Sequence, residues 1–249
     1  MDQSLDPSTT ASPTTGSGAR ARSDRARRRA LARRDRQRYG LLLLSILSAF
    51  LVQGIASPGP WEQVFVTLLL AMTLLLALWA AESKPSVMRP ALAIAALVLI
   101  ASIVEAAAGD VEGAAARLAN LLLVVLAPPA IVVGVVRSLR ARAGVTLEAV
   151  FGVLCLYILV GMAFALVYGT MANLNHGKFF AGGQLATGAR CLYFSFTTLT
   201  TVGYGDYTAT TNLGHTLSVS EALIGQIYLV TIVSLIVSNL RPRRASADS

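Results

Sequence analysis

Residues 197–206 read TTLTTVGYGD: four threonines and two glycines set around one tyrosine and closed by an aspartate. The 249-residue chain around them is 55% hydrophobic and only 14% charged, with a mean hydropathy of +0.63. An ordinary soluble domain carries about a quarter charged residues. Here the apolar residues also come in long blocks instead of at helix or strand spacing, which makes a bilayer their expected solvent. Two glycines and a run of hydroxyls in such a chain imply irregular backbone at membrane depth. That is tolerated only where protein buries it or where it lines a water-filled path.

Working outward, the apolar residues 189–200 before the motif are too few to cross a bilayer, which takes about 20. They lie within a 49-residue segment, 169–217, between two longer apolar runs, and read as a re-entrant helix and loop. Six runs are long enough to span: 41–57, 61–81 with Trp61 as an interfacial anchor, 90–107, 116–136, 147–168 and 218–240. Pro128 and Pro129 interrupt the fourth and are expected to kink it or unwind a turn, because proline removes a backbone donor. The expected fold is an all-α membrane protein of six transmembrane helices plus a re-entrant helix and loop. Cys155 and Cys191 read as two buried thiols, neither a bridge nor a metal site.

The first 40 residues follow other rules. Residues 1–19 are rich in Ser, Thr, Asp, Pro and Gly, and Arg20 to Arg38 holds ten arginines. Neither part can bury a core, and the preamble is too long for a secretory leader. Directly before a span, the arginine run reads as a topology signal resting on anionic headgroups, with no nucleic acid as partner. With a cytoplasmic N-terminus, eighteen of the 21 basic residues fall inside, leaving Arg117, Lys178 and Arg190 outside. The positive-inside rule therefore predicts a multi-pass plasma-membrane protein with both termini cytoplasmic and the re-entrant loop open outward.

To aim successive carbonyls at one axis, a backbone must alternate ordinary and positive φ, which glycine reaches without steric cost. Gly203 and Gly205 supply that freedom. Helix 189–200 would bring its partially negative C-terminal end to the membrane centre, favouring a cation there. Asp206 follows at the outer mouth, where a ring of carboxylates would concentrate cations.

From Glu148 to Leu240 the chain resembles the potassium channel pore module: outer helix, turret, pore helix, TVGYGD filter and inner helix. The resemblance covers some ninety residues and implies that the carbonyls of Thr201, Val202, Gly203, Tyr204 and Gly205 replace the hydration shell of K+. Ions would sit at Thr201, Val202, Gly203 and Tyr204, with the Thr201 hydroxyl as innermost ligand. Val202 and Tyr204 would point away and pack. One filter per chain implies a homotetramer, since four strands of carbonyls surround the axis, and excludes a two-pore dimer. The family's gating hinge falls on Gly225, for which helix packing is the alternative role.

Three departures stand out. Ala209 replaces a frequent proline, Thr197 stands where some members carry a glutamate bonded to the filter aspartate, and Tyr193 and Phe194 replace tryptophans. Tyr193, Phe194 and Thr197 are the expected filter supports, with Tyr193 able to bond Asp206. The resulting division is 1–40 disordered and arginine-rich, 41–137 a four-helix transmembrane domain, 138–240 the pore domain and 241–249 a tail too short to fold.

The type is the six-span bacterial one without voltage-sensor arginines. A sensor needs several arginines inside the fourth span; Arg117 lies at its outer end, facing Glu105, and Arg137, Arg140 and Arg142 beyond its inner end. Weak or no voltage dependence follows. The alternatives are a poorly selective cation channel or a non-conducting auxiliary subunit. A secondary transporter would show internal repeats, and none is visible. His176 and His215 lack acid–base partners, so no enzyme and no cofactor beyond permeant K+ is expected.

Overall fold

The computed structural model describes residues 37–55, 59–81, 83–108, 114–141, 147–174 and 179–240. The arginine segment through Arg36, the 241–249 tail, Arg142, His176 and Lys178 lie outside the described residues, as do the side chains of Arg117, Arg137 and Arg140. The lipid contact of the arginines through Arg36 and the Glu105–Arg117 pairing fall there too, whereas Arg38 is described and is buried with its guanidinium 4.4 Å from the Trp79 ring centroid.

Every expected run is a helix: α1 Gln37–Ile55, α2 Pro60–Ala80, α3 Pro85–Ala108, α4 Ala114–Ala141, α5 Leu147–Leu174, the short α6 Gly188–Leu199, and α7 Asn212–Leu240. Among the described residues there is no strand, only an isolated antiparallel bridge between Phe180 and Ala209. Among the described residues, four helices are long and apolar enough to cross a membrane: α1, α2 over Gln63–Ala80, α3, and α5 over Val150–Leu174. In α4 the apolar part is the shorter Leu118–Val133.

Several boundaries differ from the expected ones for a common reason. Helix α5 runs past residue 168, and α7 starts ahead of 218, through threonines and serines that read as loop. Their hydroxyls bond back to the helix itself: Thr170 to the Leu166 carbonyl at 2.8 Å, Thr216 to Asn212 at 2.9 Å and Ser218 to Gly214 at 2.8 Å. A hydroxyl satisfied this way need not end a helix. Helix α4 stays helical through Pro128 and Pro129, so no turn unwinds. The lost bonds belong to the carbonyls of Val124 and Val125, and the helix spans the gap.

The first helices are joined by small polar residues within an apolar core. Ser45 Oγ of α1 lies 2.9 Å from Thr73 Oγ1 of α2. Thr67 Oγ1 of α2 lies 2.8 Å from Asn120 Oδ1 of α4 and 3.2 Å from Ser102 Oγ of α3, all three residues being buried. Without a hydrophobic drive between helices in lipid, such bonds and close packing hold a bundle together. Helix α4 lies along α5, α5 supports α6, and α6 lies against α7. Helix α1 also reaches α6: the rings of Phe50 and Phe196 meet edge-on at 4.8 Å.

Candidate functional site

Helix α6 begins at Thr187, whose side chain caps the Arg190 amide at 3.4 Å and whose carbonyl accepts from Cys191. It ends at Leu199, where the Thr200 amide still bonds the Phe196 carbonyl. The chain then turns sharply. The Thr201 amide donates to the Thr198 carbonyl at 2.9 Å and the Gly203 amide to the Thr197 carbonyl at 3.1 Å. Beyond the turn the backbone alternates: φ is +59° at Thr201, +55° at Gly203 and +81° at Gly205, while Val202 and Tyr204 between them are not positive.

The two glycines are where a positive φ is expected, and Thr201 adds a third such position. A threonine there is uncommon, since a branched side chain resists the left-handed region. Within the single chain a side chain on Gly203 or Gly205 would meet nothing within 4 Å, so the positive φ is what favours glycine there.

Each expected supporting residue has a distinct place. Tyr193 stacks on Tyr204, with ring centroids 6.3 Å apart and planes 10° apart, and its hydroxyl lies in the neighbourhood of the Asp206 carboxylate. Thr197 acts through its carbonyl on Gly203, while its hydroxyl bonds the Phe194 carbonyl at 3.0 Å. Phe194 faces the other way, buried against Tyr168, Phe179 and Phe180. The turn after Asp206 is held without the frequent proline. The Ala181 amide bonds the Thr208 carbonyl, the Thr210 amide bonds the Phe179 carbonyl, and His215 Nε2 lies 2.6 Å from the Ala209 carbonyl.

Behind α6 lies a polar cluster that the sequence reading missed. Glu221 of α7 is fully buried, as are Ser195 of α6 and Tyr168 of α5. Tyr168 donates to Glu221 Oε2 at 2.7 Å, and Ser195 Oγ contacts both Glu221 Oε1 and the Gly161 carbonyl of α5. One carboxyl group thus joins three helices. The available signal was a single acidic residue inside an apolar run, which is costly in a membrane and retained for a reason.

Gly225 lies one turn further along α7. A Cβ there would lie 2.1 Å from the Leu199 carbonyl oxygen, so α7 touches the end of α6 backbone to backbone. Helix α7 is uninterrupted at Gly225, and this close approach gives the glycine a packing role. The next residue, Gln226, donates from Nε2 to Thr201 Oγ1 at 3.0 Å. Tyr228 bonds the Val153 carbonyl, fixing α7 to α5.

Residues 201–206 are all exposed on the single chain, including 53% of Val202 and 72% of Tyr204. Cys155 and Cys191 are both buried. Among the described residues no three His, Cys, Asp or Glu side chains gather as a metal cluster.

Residues 153–241 match the family model described as an ion channel, which covers α5 from its second turn, α6, the 200–206 turn and α7. That match supports passive ion conduction by this part of the chain. No curated protein matches the sequence.

Proposed function

We propose that the chain is one subunit of a potassium-selective, homotetrameric channel of the plasma membrane, conducting K+ passively through a filter of four Thr201–Gly205 strands. The observation that carries the reading is the alternation of φ through 201, 203 and 205. Alternating handedness turns successive peptide planes so that consecutive carbonyls can face one side, the arrangement that replaces the water around a K+ ion. The single chain leaves Val202 and Tyr204 largely uncovered, as expected of a strand completed by three further copies.

In this reading all six long helices cross the membrane, α4 and α7 included, and α6 is the re-entrant pore helix. The division is 1–40, 41–137, 138–240 and 241–249, with both termini cytoplasmic and the arginine segment on anionic headgroups. The packing of Tyr193 on Tyr204 and Tyr207 braces the strand where the glutamate is missing and favours a filter held at fixed width over a poorly selective pore. Without arginines in the apolar stretch Leu118–Val133 of α4, voltage dependence is weak or absent.

The test is flux into liposomes carrying the purified protein, with potassium and sodium gradients compared and Gly203→Ala as control. At φ +55° alanine is strained even though its Cβ has room, by about 1–2 kcal/mol per copy. Potassium-preferring flux that the substitution abolishes supports the reading. Equal sodium flux, or no flux from an assembled tetramer, contradicts it.

A further inference from the structure

The contact between Gln226 and Thr201 adds something to the filter reading, on which it rests. Because Gly225 brings α7 against the end of α6, the side chain of the next residue reaches the first residue of the filter strand. Gln226 Nε2 donates to Thr201 Oγ1 at 3.0 Å. A threonine hydroxyl has one hydrogen and two lone pairs. The incoming amide hydrogen occupies one lone pair, which keeps the hydroxyl's own hydrogen out of that direction and leaves the second lone pair for another partner. The Thr201 backbone is held as well, by its amide bond to Thr198 and at a φ of +59° that few threonines adopt. Backbone and side chain of this one residue are therefore fixed by two separate contacts, one from α6 and one from α7.

We infer that Gln226 is a positioning residue for the innermost ion site: it orients the Thr201 hydroxyl so that a lone pair, and not the hydrogen, faces the ion. Gln226 acts through Thr201 and need not touch the ion. The inference accounts for an amide on a helix face where Leu223, Leu229 and Val230 are its exposed neighbours. In lipid or against another chain an amide there would be costly without a partner.

The test measures block of potassium flux by barium, a divalent ion close to potassium in radius that reports on a deep filter site, in the full-length tetramer. Gln226→Met keeps the length of the side chain and removes the donor. Loss of one orienting hydrogen bond is expected to weaken barium block about fivefold, with the thermal midpoint of the tetramer unchanged. On a Thr201→Ser background, which keeps the hydroxyl, the same loss should recur; on Thr201→Ala, which lacks it, Gln226→Met should add nothing. An unchanged barium affinity in Gln226→Met overturns the inference, and so does a loss that persists at full size on Thr201→Ala. Failure of the underlying channel reading looks different, since the unmodified protein would then show no potassium-preferring flux at all.

Discussion

Alanine at Gly225 sets two effects of opposite sign against each other. In the interior of a continuous helix, replacing glycine by alanine favours folding by about 1 kcal/mol. Against this, the new Cβ would stand 2.1 Å from the Leu199 carbonyl oxygen and 3.0 Å from its carbon, where ordinary contact begins at 3.4 Å. The obstacle is backbone and cannot rotate away. The end of α6 would have to retreat by about 1 Å, and overpacking of this kind costs about 1–3 kcal/mol, with a rigid backbone partner at the upper end. The clash therefore outweighs the propensity gain. The displaced carbonyl also lies two residues before Thr201, so the filter strand should move with it. We expect Gly225→Ala to lower the thermal midpoint of the purified tetramer and to reduce the potassium-to-sodium flux ratio. A glycine that serves only as a hinge predicts the reverse: a midpoint equal to or above that of the parent, altered opening and intact selectivity. That result would refute the packing argument.

Three further outcomes follow from the same geometry. Glu221→Leu removes the acceptor of the Tyr168 hydroxyl and one partner of Ser195, leaving a buried hydroxyl unpaired; the expected cost is about 1–3 kcal/mol, read as a lower unfolding midpoint, and an unchanged midpoint would contradict the three-helix cluster. Tyr193→Ala removes the ring packed on Tyr204 and Tyr207, so sodium leak should rise; unchanged sodium flux would show that the outer mouth is held by other contacts. Conductance should vary only shallowly with voltage, because the apolar stretch Leu118–Val133 of α4 holds no charge to do work in the field; a steep conductance–voltage curve from purified protein would overturn this.

The sequence made the helices and the positive φ of Gly203 and Gly205 legible because both depend on local composition: apolar blocks set the helices, and glycines mark positions needing positive φ. Where the reading fell short, the cause was non-local. Thr201 takes positive φ although nothing in its residue type announces it; its neighbours Thr198 and Gln226 hold it there. Glu221 passed unnoticed because its partners, Ser195 and Tyr168, are 26 and 53 residues away and are ordinary residues in isolation. Phe194 was grouped with Tyr193 as a filter support, yet adjacent residues on a helix face different ways, and only Tyr193 meets the filter strand. The ends of α5 and α7 were drawn too short because hydroxyl residues in the sequence resemble loop until their bonds to the preceding turn are seen. The approach of α1 to α6 through Phe50 and Phe196 is a matter of tertiary packing, which no apolar run encodes.

The central claim is that the Thr201–Gly205 strand selects potassium, and the most direct test is the reversal potential of the purified protein in a planar bilayer with potassium on one side and sodium on the other. Each tenfold in permeability ratio moves that potential by about 59 mV. The account predicts a displacement of at least one such step toward the potassium equilibrium value, lost in Gly203→Ala. Current that reverses near zero would contradict it.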